Sequence, residues 1–316
     1  MATLREYRGS AEINQPKSLV NCGLQGVSII LPTYNRADTL HNCLNSVLNQ
    51  TYLNWELIIV DDSTTNDVET LVNRFASHDK NIRYIKNEVR KGLPASRNIG
   101  ISLSAHPLVL FIEDDLILDT DALDRLVTCF NEQLQSSERI AAVAPSRPWV
   151  GGTCSSPAQN LLTKNQDTGS SPCFQSKFTG LIYHNFSPEF GVLQEVQDVH
   201  PCSLYLKQAL IEVGLYDETS YVGNFFYEDS DLNHRIRRRG YKFYFAPDAI
   251  FYHIITSEGG CRTTRLRYGL FFVKNHITYV RRNFGARCVY MIPLFFVSFT
   301  KLGLKQIITS KTLRFK

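Results

Sequence analysis

The feature that most constrains the fold is an alternation in the first 115 residues. Apolar runs of strand length at 26–31, 55–60 and 108–112 are separated by stretches with helical spacing. The first run meets Pro32-Thr33-Tyr34-Asn35-Arg36, where we expect the strand to break and Asp38 or Thr39 to cap a helix. Leu40, Leu44, Val47 and Leu48 supply its apolar face. Val68, Leu71, Val72 and Phe75 mark a second helix over about 66–77. A short third strand is expected at 82–85, and Gly92-Leu93-Pro94 leads into a helix over about 95–104. Strand, helix, strand in this order specifies βαβ units, a parallel sheet and right-handed crossovers.

The polar residues fall at the strand ends. Thr33, Asn35, Asp61, Asp62, Glu113 and Asp115 all lie there, the edge where parallel α/β sheets take ligands. Glu113-Asp114-Asp115 follows an apolar run directly. Stacked like charges cost free energy unless a cation or a ligand proton offsets them. Residues 113 and 115 share a face in extended backbone. Two oxygen ligands suit a Mg2+ or Mn2+ that completes its shell with water and phosphate. There is no G-x-G-x-x-G and no G-x-x-x-x-G-K-[ST], which argues against a dinucleotide fingerprint or a P-loop.

Further along, 141–144 and 203–206 read as strands, with a short helix between the latter and Gly214. Residues 145–180 read as a long loop or lid. Aromatic crowding precedes Glu228-Asp229-Ser230-Asp231-Leu232. Asp229 or Ser230 is expected to cap a helix running to Arg239 and ended by Gly240. A carboxylate in such dry surroundings can have its pKa raised toward that of a working base. Residues 241–245 and 249–252 are two strand-like runs, the second ending at His253.

Charge is divided unevenly along the 316 residues. From Gly259 to Lys316 there are twelve Lys or Arg and no acid, so the remaining 22 basic and 30 acidic groups give the body a net charge of −8. An acidic body with a basic tail points to an anionic partner surface. The apolar segment 288–300 is thirteen residues long and carries Pro293, short of the roughly 20 residues needed to span a bilayer. Flanked by Arg281, Arg282, Arg287, Lys301 and Lys305, it suits an interfacial helix or hairpin on an anionic leaflet. Its aromatic and basic mixture would also suit nucleic acid, but no recognition fold for that is visible, so no nucleic-acid partner is expected. Eight cysteines show no metal-ligand spacing, which favours free thiols in a reducing compartment. Residues 1–25 read as a flexible polar leader without a signal-peptide core.

Five motifs in order resemble the family 2 glycosyltransferases: Val27 to Arg36, Leu57 to Ser63, Arg97-Asn98-Ile99-Gly100, Glu113-Asp114-Asp115, and Glu228 to Leu232. The resemblance covers about 26–283. It implies an α/β GT-A fold, a Rossmann-like and mostly parallel sheet flanked by helices, with a C-terminal amphipathic helical extension. It divides the chain into a nucleotide-sugar-binding half (26–135), an acceptor-binding half with the catalytic base (136–257) and a basic extension (258–316). It implies that Pro32, Thr33, Asn35 and Arg36 line a nucleotide pocket, that Asp61 bonds base or ribose with Asp62 beside it, and that Arg97 approaches the diphosphate or base. Asp114 would lie near the ribose, Asp115 would be the metal ligand with Glu113 and His253 as further candidates, and Asp229 would be the base. Glu228 and Asp231 would serve the acceptor side. Glu113 departs from the usual Asp of the DxD motif, so Asp115 is the firmer ligand. No Gln-x-x-Arg-Trp follows Asp231, which implies a non-processive enzyme adding one sugar. The expected chemistry is inverting, metal-dependent transfer from a nucleotide diphosphate sugar to a glycan or lipid-linked hydroxyl, on the cytoplasmic face of a membrane. A nucleotidyltransferase that makes nucleotide sugars, or a non-catalytic sugar- or membrane-binding protein, are the alternatives.

Overall fold

The computed structural model describes residues 24–77, 79–136, 139–150, 171–254 and 265–298. Nearly all of the expected leader, residues 151–170 of the expected 145–180 loop, and residues 258–264 and 299–316 of the expected basic extension lie outside them. The first half alternates as its apolar pattern requires. It runs β1 (Val27–Thr33), α1 (Ala37–Leu48), β2 (Trp55–Asp61), α2 (Asp67–Ala76), β3 (Ile82–Lys86), α3 (Leu93–Leu103) and β4 (Leu108–Phe111). Then come β5 (Leu116–Leu118), α4 (Ala122–Gln135), β6 (Ile140–Ser146) and β7 (Trp149–Val150). The second half contains β8 (Cys173–Gln175), β9 (Ile182–His184), β10 (Gln194–Val196), β11 (Leu204–Leu206), α5 (Lys207–Glu212), α6 (Glu228–Arg238), β12 (Lys242–Ile254) and α7 (Arg265–Phe284).

The main sheet runs in the order β10-β12-β6-β11-β4-β1-β2-β3. β1 pairs in parallel with β2 and β4, and β2 with β3. β11 enters between β4 and β6 antiparallel to both. The strand faces are apolar and fully buried, as in β1, β4 and β6, because helices cover a sheet of this kind on both sides.

Pro32 does not break the first strand. β1 continues through Thr33, with Pro32 opposite Val60 and Thr33 opposite Asp61. Thr33 turns its carbonyl toward β2, where it accepts from the Asp62 amide at 2.9 Å. Pro32 therefore faces the β4 side, and pairing with β4 ends at Ile30 opposite Phe111. The missing N–H has no ladder partner to lose there. Two helix starts also differ from expectation. α1 begins at Ala37, after Arg36, with no side-chain cap. α6 begins at Glu228, after Tyr227 in the left-handed region at φ 70°, so Asp229 and Ser230 lie inside its first turn.

The runs at 241–245 and 249–252 form one long strand, β12, with an irregular register between Ala246 and Ile250. This carries His253 past β6 to pair with Leu116 of β5 and Trp149 of β7. At the other end of the chain, residues 288–298 are helical rather than a hairpin. Met291 and Phe295 of this helix are buried against the aromatic cluster of α7. Cys43, Cys129, Cys173, Cys202 and Cys288 are unpaired thiols. Among the described residues no helix is long and apolar enough to cross a membrane.

Candidate active site

The ends of β1, β2 and β4 gather one polar cluster. After β4 the chain leaves extended geometry at Asp114 and Asp115 and turns into β5. Arg36, the residue before α1, reaches across and donates to Asp114 Oδ1 at 2.8 Å and to Asp115 Oδ2 at 2.7 Å. Thr33 donates its hydroxyl to Asp114 Oδ2 at 2.8 Å. Burial nonetheless pushes Asp114 up to about 6, against the pull of Arg36. For Asp115 burial also opposes the charge, but His253 and Arg36 prevail and hold it at about 2.

The long β12 delivers His253 to the same turn. Its Nε2 lies 3.3 Å from Asp115 Oδ1, and its ring stacks on Trp149 with centroids 4.0 Å apart. One ligand atom each from Glu113, Asp115 and His253 lie within 4.8 Å of one another. Asp115 Oδ1 and His253 Nδ1 are buried without a hydrogen-bond partner among the described residues. Two carboxylates and one imidazole gathered this closely fit a Mg2+ or Mn2+ that takes its other ligands from outside the protein. Arg147, which sequence reasoning missed, approaches Glu113 Oε2 at 3.5 Å.

The other strand-end residues serve the scaffold as well as the edge. Asn35 occupies the left-handed region at φ 53°, which Asn tolerates better than most residues. Its amide donates to Ser63 Oγ at 2.8 Å, and its side-chain oxygen accepts from the Thr64 amide at 3.1 Å. Asp61 accepts from Tyr84 at 2.6 Å and from the Ser63 amide at 2.8 Å. Asp62 is committed to the loop before α3 instead of lying open beside Asp61. It accepts from the Lys91 and Gly92 amides, each at 2.8 Å, and from Asn87 at 3.0 Å. Gly92 sits at φ 88°, where a Cβ would meet the Phe225 ring at 2.9 Å.

Arg97 departs furthest from expectation. It is buried in α3 and pairs with Glu228, the first residue of α6, rather than opening to a diphosphate. Phe111 and Tyr216 lie 5.9 and 5.2 Å from its guanidinium. The partners pull in opposite directions. Burial raises Glu228 to about 7 even beside Arg97, whereas Glu228 raises Arg97 against burial. We take the pair as ionised at neutral pH, because a guanidinium does not shed its proton and would otherwise stand uncompensated in the core.

Asp231 is tied to α7 and to its own helix: Asn283 donates to it at 2.8 Å and Arg235 at 3.0 Å. Asp229 is the acid of α6 left without such ties, since no other side chain hydrogen-bonds to it among the described residues. Burial raises its pKa, and Asp198 raises it further, while His184 and Arg97 act in the opposite sense. Asp198 and His184 were invisible to sequence reasoning, because they lie in short, aperiodic segments brought to α6 by long-range packing.

A mostly parallel sheet with carboxylates gathered at its strand ends, and a second acidic helix start beside them, defines a protein of the GT-A fold. A solved structure of GalNAc-T7 with UDP, GalNAc and Mn2+ aligns with 85% of this chain and 50% of its own, at a TM-score of 0.63 and 16% identity. The family follows from the sequence: residues 28–180, a little under half of the chain, match Glycosyl transferase family 2, and this segment belongs to that family. A UDP-Glc:alpha-D-GlcNAc-diphosphoundecaprenol beta-1,3-glucosyltransferase of Escherichia coli is 33% identical over 32% of this chain and 40% of its own length. A GalNAc(5)-diNAcBac-PP-undecaprenol beta-1,3-glucosyltransferase of Campylobacter jejuni is 24% identical over 62% of this chain and 61% of its own. The chain thus spans less than two thirds of the length of these relatives.

Proposed function

We propose that this protein transfers a single sugar from a nucleotide diphosphate sugar to a hydroxyl of a lipid-linked glycan, with inversion at the anomeric carbon. The observation that carries this reading is the pairing of two carboxylate groups with different surroundings. Glu113, Asp115 and His253 form a cation-ready cluster at the strand ends, and Asp229 heads α6 with a raised proton affinity. Glu113, Asp115 and His253 would hold Mg2+ or Mn2+, which when bound neutralises charge developing on a leaving nucleoside diphosphate.

The chain's own residues supply the rest. Thr33, Asn35, Arg36, Asp61 and Asp114 line the strand ends where the nucleotide would lie, in the donor-binding half (26–135). Asp229, in the acceptor-binding half (136–257), takes the acceptor hydroxyl proton on a carboxylate oxygen. With one base and a direct displacement, the new bond forms opposite the leaving group. The lipid-linked acceptor is supported by the diphosphoundecaprenol substrates in the names of the two bacterial relatives.

A membrane-surface location on the cytoplasmic side agrees with that acceptor. In the helix at 288–298, the exposed positions are Val289, Tyr290, Pro293, Leu294, Phe296 and Val297, with no polar residue among them. Arg281 and Arg287 stand exposed beside it. An apolar face with a basic rim suits the interface of an anionic leaflet.

The decisive experiment is a screen of nucleotide sugars with Mn2+ for transfer to a lipid-linked acceptor and for donor hydrolysis. Turnover of one donor, lost with EDTA and lost in Asp115→Ala, is the expected result. Pyrophosphate release from a nucleoside triphosphate and a sugar phosphate would favour nucleotide-sugar synthesis instead. For the membrane reading, Val289→Asp with Val297→Asp should abolish sedimentation with vesicles containing phosphatidylglycerol. Undiminished sedimentation would refute a role for this helix.

A further inference from the structure

Asp198 lies in the loop before β11 and is buried, yet four donors converge on its carboxylate. Ser230 Oγ donates at 2.6 Å and Asn233 Nδ2 at 2.5 Å, both from the first turns of α6. The Val199 amide donates at 3.0 Å. His184 Nε2, on β9, approaches at 3.3 Å. Asn233 is itself fixed, donating to the Val199 carbonyl at 2.8 Å and accepting from Tyr205 at 3.0 Å. The anchor thus grips the residue after Asp229 and the residue one turn further on. It joins the β8–β9 hairpin, the 197–203 loop and α6 at one carboxylate.

We propose that Asp198 and His184 are positioning residues for the base of the transfer reaction: Asp198 clamps the first turn of α6 through Ser230 and Asn233, which brings its negative charge to the residue next to Asp229, and His184, paired with Asp198, supplies the opposing charge. This rests on Asp229 being the base. A fixed anion next to a carboxylate favours its protonated form, so the base becomes stronger, and a cation beyond it does the reverse. The titratable groups near enough for their charges to act on Asp229 are Asp198, His184, Arg97, the neighbouring Glu228 and the phenols of Tyr205, Tyr216, Tyr227 and Tyr279. Those whose charges act on His184 are Asp198, Asp229, Cys173 and His200. Burial opposes a charge on His184, but Cys173 and Asp198 prevail and hold the imidazole well above its ordinary value. The raised proton affinity favours the imidazolium form of His184, 3.3 Å from Asp198.

The test is the titration of Asp229 in the full chain, followed by 13C NMR of the aspartate carboxyls and assigned by the signal missing in Asp229→Asn. Three variants are compared. Asp198→Asn keeps hydrogen-bonding capacity but removes the anion, and should lower the Asp229 pKa by about one unit. His184→Gln removes the cation and should raise it by a similar amount. Ser230→Ala removes one hydrogen bond and no charge, and should leave it within a few tenths. Where transfer is measurable, the acid limb of kcat/KM should move in the same two directions. Shifts of the same sign in Asp198→Asn and His184→Gln, or none in either, would overturn the proposal. If the NMR shifts appear but the acid limb follows neither, the charge pair stands and the assignment of Asp229 as base fails. A thermal melt of each variant confirms that the folded protein is being titrated.

Discussion

Asp115 at the strand ends and Glu228 at the head of α6 are buried to a similar depth but differ in proton affinity. Asp115 is 5% exposed and Glu228 4% exposed. Asp115 is nevertheless held at about 2, while Glu228 is pushed up to about 7. Burial raises both, so the difference lies in the neighbours. Asp115 has His253, Arg36 and Arg147 around it. Glu228 has Arg97, but also the like charges of Asp229 and Glu113. Asp115 thus holds charge ready for a cation, whereas Asp114 next to it and Glu228 and Asp229 at the head of α6 have a raised affinity for a proton. That division suits leaving-group neutralisation at one edge and proton abstraction at the other.

The contrast can be broken most directly at Asp229. Asp229→Asn removes the basic oxygen and changes little else, so transfer should fall about 10²–10⁴-fold while donor binding persists. Transfer within a few-fold of the parent would mean that the α6 edge does not supply the base. The next largest effect is on stability. Arg97→Leu leaves Glu228 buried without its partner, and removing one member of a buried pair costs about 3–5 kcal/mol. Chemical denaturation should report this, and a change under about 1 kcal/mol would show that Glu228 is readily neutralised.

A smaller loss is expected at the strand-end edge from Asp62→Ala, which strips the acceptor from the Lys91 and Gly92 amides. About 1–3 kcal/mol is the expected cost of such orphaned groups. Donor binding should weaken only as the loop before α3 loosens, a difference that calorimetry on both variants separates. The smallest effect sharpens the comparison through pH. His184 has a folded pKa above its unfolded value of roughly 6.5, with Cys173 and Asp198 favouring its charged form against burial. Its contribution is fully present below the unfolded value and is lost as pH rises through the folded one. Denaturation midpoints from pH 6 to 9 should therefore decline less steeply in His184→Gln than in the parent chain.

The two edges also differ in how far they could be read in advance. Glu113, Asp114 and Asp115 follow the apolar run of β4 directly, so their place at a strand end was legible from pattern alone. Asp229 was legible as an acid in a helical turn behind aromatic residues, and its raised proton affinity followed from those surroundings. Roles that depend on a partner were not. Asp62, Arg97 and Asp231 look like free polar groups in the sequence. In the fold they are tied to the 87–92 loop, to Glu228 and to α7.

What the sequence determined by itself is the class of sheet and the location of its working edge. Both follow from local periodicity and from where apolar runs stop, and these are properties of neighbouring residues. The tertiary structure decided which acids are free to act. β12 had to run as one 13-residue strand before His253 could reach Asp115. The 197–203 loop had to dock on α6 before Asp198 could accept from Ser230, the residue after Asp229. Such contacts join residues 30 to about 140 positions apart, and their energies depend on burial and on charges that no local window contains.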